Sequence, residues 1–399
     1  TRTLFFHPAQ HGFRKFYSCE TQLLTFTHDL HVVLDRGSRT DCIFLDFSKA
    51  FDKVPHVLLL HKLRNLNIDN NILNWIESFL TNRFQFVCAN GTNSSLSSVN
   101  SGVPQGSVLG PLLFLIYIND LPMHVSSSIS LYADDCVIYK EIINDSDISV
   151  LQTDINNVTQ WCSEWHMELN TSKCRSMRVS RHNNTCPSYN IINSPLLSVT
   201  SYKYLGVHLT NDLSWNLHVE YVTNSANRLL GYLKRNLSLT PVSLKLLIYK
   251  TLVRTKLEYA ASIWDPGITL SSAVESIQNR SARFILSNYH RTSSVTSMKA
   301  SLSLPNLSLR RKISRLCLFQ KIFHSNPTLR QTLFLEPSYI SLRTNHHLKV
   351  GVPQCNTSSF NASFLPQTSI DWNRLPAPIV SITDATDFKI AITKFFDVQ

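Results

Sequence analysis

The chain has 399 residues, 43% of them hydrophobic and 16% charged, a balance that excludes an intrinsically disordered chain and allows two or three units with their own cores. Nine cysteines without a CxxC pair exclude a disulfide framework and point to a reducing compartment. The formal net charge of +11 is unevenly spread. Residues 1–215 hold 16 Lys/Arg against 18 Asp/Glu, residues 216–349 hold 19 against 5, and the last fifty hold 3 against 4. A near-neutral first half followed by a strongly basic middle reads as a catalytic or folding unit and then a polyanion-binding unit, with nucleic acid the favoured partner over a merely solvated basic face.

The longest apolar run, Leu112–Ile118, is far short of the roughly 20 residues a spanning helix needs, so no membrane partner is expected. With no secretory leader visible, the expected setting is intracellular, in nucleus and cytoplasm. Cys162, His166, Cys174 and Cys186 match no usual zinc spacing and read as ordinary thiols. The chain opens at Thr1 in mid-pattern and reads as a piece of a longer polypeptide.

In chain order, "DCIFLD" (41–46) is a short apolar run ending in an acid, a buried strand by length and residue type. "SKAFDKVPHVLLLHKL" is helical but broken at Pro55, and residues 69–88 read as a helix to about Asn82 and then a strand. "NGTNSSLSSVNSG" reads as turn and loop. "VPQGSVLGPLLFLIYINDL" is a glycine- and proline-broken entry into an apolar helix, and "SISLYADDCVIYK" is a hairpin. Residues 147–166 form an amphipathic helix with Leu151, Ile155, Val158 and Trp161 on one face. "SYKYLGVHLT" reads as another hairpin, which makes the chain α+β up to about residue 215.

Beyond that point helices dominate. Thr240-Pro241 is a helix start, and the spacing after it predicts Leu244, Leu247, Ile248 and Leu252 inward, with Lys245, Lys250, Arg254 and Lys256 at the surface. "SAVESIQNRSARFIL" and "LSLRRKISRLCLFQKIF" read as two more basic amphipathic helices.

Three acids stand at strand ends: Asp46, Asp134 and Asp135. If the hairpin bearing Asp134 lies beside the strand ending in Asp46, hard divalent cations would offset the crowded carboxylates. Taken alone, Asp134-Asp135 reads more readily as a turn tip, where Asp is favoured.

The surrounding motifs change that balance. "FLDFSKAFDKVPH", "GVPQGSVLGPLLFLIYINDLP", "YADD", "LNTSKC" and "YLGVHL", in this order, resemble the reverse transcriptases of non-LTR (LINE-type, jockey-like) retrotransposons. "QHGFRKFYSCETQLL" resembles the block that precedes their catalytic strand, and "LVRTKLEYAASIWDP", "RRKISRL" and "DWNRLP" resemble the basic region that follows. The resemblance implies a right-hand palm with partial fingers over residues 1–215, a basic helical thumb over 216–300 and a C-terminal extension over 301–399. It implies RNA-directed DNA polymerase activity with RNA template, DNA primer and dNTP as partners, and two Mg²⁺ ions that Mn²⁺ can replace.

Residue by residue, the resemblance makes Asp46, the carbonyl of Phe47, Asp134 and, as a supporting neighbour, Asp135 the metal-binding set. Lys173 becomes a general acid toward pyrophosphate. Phe51 becomes the aromatic gate against a 2′-hydroxyl, and Gln105, Gly106 and Arg14 join it in nucleotide binding. Tyr204, Leu205 and Gly206 become the primer grip, with Lys245, Lys250, Arg254, Arg280 and Arg283 on nucleic-acid phosphates. The family's "RPISL"-like fingers block is not in the chain, nor is an endonuclease domain, which the full-length parent is expected to carry. The alternatives are therefore a truncated inactive remnant or a non-catalytic nucleic-acid-binding scaffold.

Overall fold

The structure, a computed structural model, describes residues 5–182, 185–341 and 346–397. Two compact units emerge: Thr1–Gln22 with Gly37–Thr200, and Leu23–Arg36 with Ser201–Gln399. Helix α1 (Cys19–Asp35) contributes its first turn to the first unit and its remainder to the second.

In the first unit, β1 (Thr40–Asp46) has six buried residues in succession and only its terminal acid partly open. Pro55, which lacks an N–H, separates α2 (Ala50–Lys53) from α3 (His56–Arg64). Helix α4 (Asn70–Leu80) starts at Asp69, whose carboxylate accepts the Asn71 N–H at 2.8 Å. The strand expected after Asn82 forms, and the stretch expected to be turn and loop supplies its antiparallel partners. There β2 (Arg83–Gln85), β3 (Cys88–Ala89), β4 (Thr92–Asn93) and β5 (Ser97–Val99) pair as β2–β5 and β3–β4. The reason is Asn90-Gly91, at φ +51° and +78°, the pairing a tight hairpin turn demands.

Helix α5 (Leu109–Ile118), hairpin strands β6 (Ser128–Tyr132) and β7 (Asp135–Glu141), α6 (Asp145–Glu164) and β8 (Arg175–Val179) follow. The short β9 (Asn190–Ile191) and β10 (Ser194–Pro195) pair with each other, and β11 (Leu197–Ser198) joins the main sheet. That sheet has the order β11-β8-β1-β7-β6, antiparallel except for β11–β8. Ile43, Leu45, Leu131 and Ile138 from the sheet form one core with Phe114 of α5 and with Leu151, Ile155, Val158 and Trp161 of α6. This is the expected α+β arrangement, and it puts the free end of β1 against the β6–β7 turn.

The second unit takes up the chain at Ser201, ahead of the expected residue 215. The hairpin β12 (Ser201–Tyr204)–β13 (Val207–Thr210) packs on α7 (Asn216–Asn236) and so belongs with the helices. Then come α8 (Val242–Ile248), a π-helical turn (Tyr249–Val253), α9 (Arg254–Glu258) and α10 (Ile268–Ile285). The C-terminal part adds α11 (Val295–Ser301), α12 (Leu307–Ser325), α13 (Pro327–Leu333), α14 (Ser358–Asn361), α15 (Phe364–Asn373), α16 (Ala377–Val380) and α17 (Ala385–Asp397).

The expected facing of the segment after Pro241 fails at four positions, while Lys256 is exposed as expected. Leu244, Leu247 and Leu252 are exposed, while Lys245, Tyr249, Val253 and Leu257 are buried. These inward residues recur every four positions, a longer period than an α-helix supplies, and the π turn supplies the difference. Lys245 is satisfied inside: its Nζ donates to the Ser238 carbonyl at 2.8 Å and to Ser287 Oγ at 2.9 Å, and lies over the Phe284 ring.

Ion pairs knit the second unit's three motif blocks together. Arg310 pairs with Glu258, Arg311 and Arg315 with Asp265, and Lys312 and Arg315 with Asp371. The nine cysteines are free thiols, and among the described residues no helix is long and apolar enough to cross a membrane.

Candidate active site

Strands β1 and β7 run antiparallel with Asp46 directly opposite Asp135, and β6–β7 closes through the two-residue turn Ala133-Asp134. Three carboxylates are thus gathered by strand pairing alone. Like charges directly opposite each other are unfavourable. Burial and the Asp46 charge raise the Asp134 carboxyl above its ordinary range. Surrounding protein, with the Asp134 and Asp46 charges added, pushes Asp135 up to about 6, even though its side chain keeps access to solvent.

The nearest cation is the one expected from "LNTSKC". Lys173 Nζ lies 3.4 Å from Asp46 Oδ2. Backbone pairing brings it there: Ser48 N–H donates to the Glu168 carbonyl at 2.7 Å, and Asn170 N–H to the Asp46 carbonyl at 2.8 Å. Phe47 bridges Leu169 through its backbone and buries its ring.

Among the described residues, no three His, Cys, Asp or Glu side chains stand together as an assembled ion cage. The donor chemistry nevertheless suits hard divalent cations: the candidate ligands are carboxylate oxygens, and burial together with their mutual repulsion raises two carboxyls. The fit therefore lies in donor type and uncompensated charge.

Phe51 stacks on Phe114 of α5 with centroids 4.3 Å apart, and the exposed Phe13 ring meets it edge-on at 6.4 Å. Gln105 Nε2 donates to Asp52 Oδ1 at 2.8 Å, and the Val103 N–H donates to the Phe51 carbonyl at 2.8 Å, so the 102–106 loop is fastened to the Phe51 segment. Gly106 has φ +83° and open space beside it. A groove of about 490 Å³ runs along this loop, lined by Lys49, Arg83 and Gln105 among others. Arg14 points one guanidinium nitrogen at the carbonyls of His7 (2.9 Å) and Gln10 (2.7 Å) and lies over the Tyr17 ring. These contacts fasten its own loop.

In the second unit, Tyr204 is buried edge-on against Phe26 and serves the core. Gly206 (φ +83°) and Leu205 (φ +44°) form the hairpin turn. The Tyr259 ring closes over it, with a Cβ on Gly206 meeting ring carbon Cε1 at 2.8 Å and the Tyr259 hydroxyl donating to the Leu205 carbonyl at 2.9 Å. The close approach that this glycine permits is thus made by a protein side chain. Lys250 is half-buried. Arg254 pairs with Glu258 at 3.7 Å, Arg283 donates to the carbonyls of His290 and Ser293, and Arg280 is exposed and donates to Asn227.

Helix α7, which receives Arg280 at Asn227, carries basic residues the sequence did not single out. Arg228 and Arg235 on α7 are exposed, and the Arg280 charge helps lower the Lys234 pKa, burial being the larger cause. Heptad-like spacing on α7 (228, 235) was the available signal.

Residues 2–209 match the family described as reverse transcriptase (RNA-dependent DNA polymerase). The chain belongs to the reverse transcriptase family. Every first-unit residue discussed above, and the 201–206 strand and turn, fall inside the span that the reverse transcriptase match covers. The chain is 30% identical over 294 residues to the RNA-directed DNA polymerase from mobile element jockey of Drosophila funebris, covering 69% of this chain and 31% of that protein. It is 29% identical over 288 residues to the probable RNA-directed DNA polymerase from transposon X-element of Drosophila melanogaster, with the same shares. The chain therefore spans about a third of the length of these relatives. A solved structure of telomerase from Candida albicans with a fragment of telomeric RNA is 14% identical, at TM-score 0.41, covering 81% of this chain and 52% of that one.

Proposed function

We propose that this reverse transcriptase chain carries the nucleotidyl-transfer centre of a non-LTR retrotransposon polymerase, extending a DNA primer on an RNA template from dNTPs. The observation that carries the reading is the strand register that sets Asp46 against Asp135 and puts Asp134 on the adjoining turn. Asp46, the Phe47 carbonyl and Asp134, with Asp135 in support, would hold two Mg²⁺ ions. Such ions activate a 3′-hydroxyl and stabilise a leaving pyrophosphate.

The protein's own residues supply the rest. Lys173, 3.4 Å from Asp46, would act as general acid toward the departing pyrophosphate. Phe51, backed by Phe114, presents a ring that a 2′-hydroxyl would strike. Gln105, Gly106 and the groove beside them receive the incoming nucleotide. In the second unit, which we read as thumb and C-terminal extension, Arg228, Lys234, Arg235 and Arg280 take template–primer phosphates. The parent polypeptide is proposed to carry an endonuclease and to act in nucleus and cytoplasm.

The test is Mg²⁺-dependent extension of a DNA primer on an RNA template by wild type and Asp134→Asn. Loss of extension in the variant with template affinity retained supports the reading. Normal extension by the variant removes it.

A further inference from the structure

We infer that Gln10 is a positioning residue for the carboxylate-bearing Ala133-Asp134 turn, an inference that rests on the nucleotidyl-transfer reading above. Gln10 is only 2% exposed, and its side-chain carbonyl Oε1 accepts two backbone N–H groups, Gly12 at 2.7 Å and Ala133 at 2.9 Å. One oxygen thus ties the 10–12 segment to the first residue of the turn. The backbones on either side are paired as well. Leu131 N–H donates to the Ala9 carbonyl at 2.9 Å, and His11 N–H donates to the Leu131 carbonyl at 2.8 Å.

The contact is too close for a side chain at Gly12. A Cβ there would fall 2.5 Å from the Ala133 nitrogen and 3.0 Å from Gln10 Oε1. Beyond it, His11 is anchored by its Nδ1 contact to Thr21 Oγ1 at 3.1 Å, and Arg14 closes the loop on the Gln10 carbonyl.

Three physical points make this a positioning device. First, Ala133 sits at φ +55°, a left-handed backbone that a non-glycine residue holds only when its surroundings impose it. The Gln10 bond is such an imposition, applied one residue before Asp134. Second, the acceptor is a neutral carboxamide. A carboxylate would make the same two bonds but would add a further negative charge next to the turn that carries Asp134. Third, nothing in Gln10 needs to touch substrate, because it acts through the placement of Asp134 and Asp135. A displacement of about 1 Å in such a group costs on the order of a hundredfold in rate.

The experiment uses the full chain and two readouts. Amide hydrogen exchange at Ala133 reports the clamp directly, and steady-state primer extension reports its consequence. Gln10→Met keeps the volume and removes the acceptor. Ala133 exchange is expected to speed up on the order of tenfold or more, and kcat to fall on the order of a hundredfold, with template Kd and Tm near wild type. Gln10→Glu, which keeps an acceptor oxygen in place, is expected to restore Ala133 protection.

Unchanged Ala133 exchange in Gln10→Met overturns the inference, and so does faster exchange with unchanged kcat. If wild type extends no primer while Gln10→Met still loosens Ala133, the polymerase reading fails and the clamp stands. Should Gln10→Met not fold, Gln10→Asn, which withdraws the acceptor by one methylene, is read in the same way.

Discussion

Asp46 and Asp135 are direct cross-strand partners, two acids facing each other across the β1–β7 ladder. The other end of β1 shows how the fold treats an acid that it means to neutralise. Asp41 is fully buried and receives Arg178 Nε and Nη2 at 2.7 Å each, with the Tyr189 hydroxyl at 2.6 Å. One acid of the strand is thus satisfied from within. The other meets a second acid and a largely exposed lysine, Lys173, at 3.4 Å. A buried acid with a bidentate arginine is structural. The acid facing an acid is the arrangement on which the proposed metal site rests.

The first prediction follows from the Asp135 carboxyl, pushed up to about 6 against an ordinary value near 3.9. A raised carboxyl means that the folded state binds its proton more tightly than the unfolded state does. This group's contribution to stability is therefore complete below about pH 4 and is lost as pH rises through about 6. Asp135→Asn should then stabilise the metal-free protein at pH 8, by about 1 kcal/mol or less given its access to solvent, and bring no gain at pH 4. Thermal melts at the two pH values, with and without Mg²⁺, check this. Mg²⁺ should raise the wild-type Tm more than that of the variant. A variant less stable than wild type at pH 8 without metal contradicts the account.

Phe51 gives the second prediction. Its ring is held by the stack on Phe114, so Phe51→Ala removes both a gate and a contact. Ribonucleotide incorporation relative to deoxynucleotide should rise about tenfold or more, the scale of a steric discrimination worth 1–3 kcal/mol. Phe51→Leu, which keeps most of the packing, should give a smaller rise with less loss of stability. Unchanged sugar selectivity in both variants leaves Phe51 as a packing residue only.

Much of the first unit was legible because its signals are local. The apolar run ending at Asp46, the break at Pro55 and the 151/155/158/161 face each depend on a few neighbouring residues, and all appear as read. The Asn90-Gly91 turn was equally local and was read as a turn, but the strands paired across it were not. What escaped the sequence depends on distance along the chain. The Gln10–Ala133 bond joins residues 123 apart, and the Asp35 carboxylate accepts from the backbone of Asn356 and Thr357, more than 320 residues on. The facing of residues 241–257 failed for a different reason: Lys245 finds acceptors inside while Leu244 and Leu247 of the same helix stay exposed, and from Tyr249 a π turn alters the period.

That correction yields the third prediction. Lys245 sits inside the second unit with two hydrogen-bond acceptors, so Lys245→Met should leave the affinity for a template–primer duplex and its salt dependence unchanged. Any loss should appear in stability instead, because Ser287 Oγ and the Ser238 carbonyl lose their donor. Arg228→Ala and Arg280→Ala should behave in the opposite way. Each should lower the slope of log K against log salt by about 0.7–0.9, with little change in Tm. Fluorescence anisotropy over a salt series separates the two classes. A reduced slope in Lys245→Met would mean that its ammonium reaches phosphate after all.

The fourth prediction concerns Arg315, whose side chain is only 3% exposed and pairs with both Asp265 and Asp371. It stands where "IWDP", "RRKISRL" and "DWNRLP" converge, so much of the positive charge in those blocks is spent within the fold. Glu258, Asp265 and Asp371 take up Arg310, Arg311, Lys312 and Arg315. Removing Arg315 leaves Asp265 with Arg311 alone and Asp371 with Lys312 alone, at about 3–5 kcal/mol at most. Arg315→Met should destabilise by that order in urea melts. Adding Asp371→Asn to it should recover nothing, since Asp371 still holds Lys312 once Arg315 is gone and the second change removes that partner too. Template affinity of the folded protein should stay near wild type in both. If Arg315→Met instead weakened binding with stability intact, the cluster would belong to the nucleic-acid face and not to the interior that supports it.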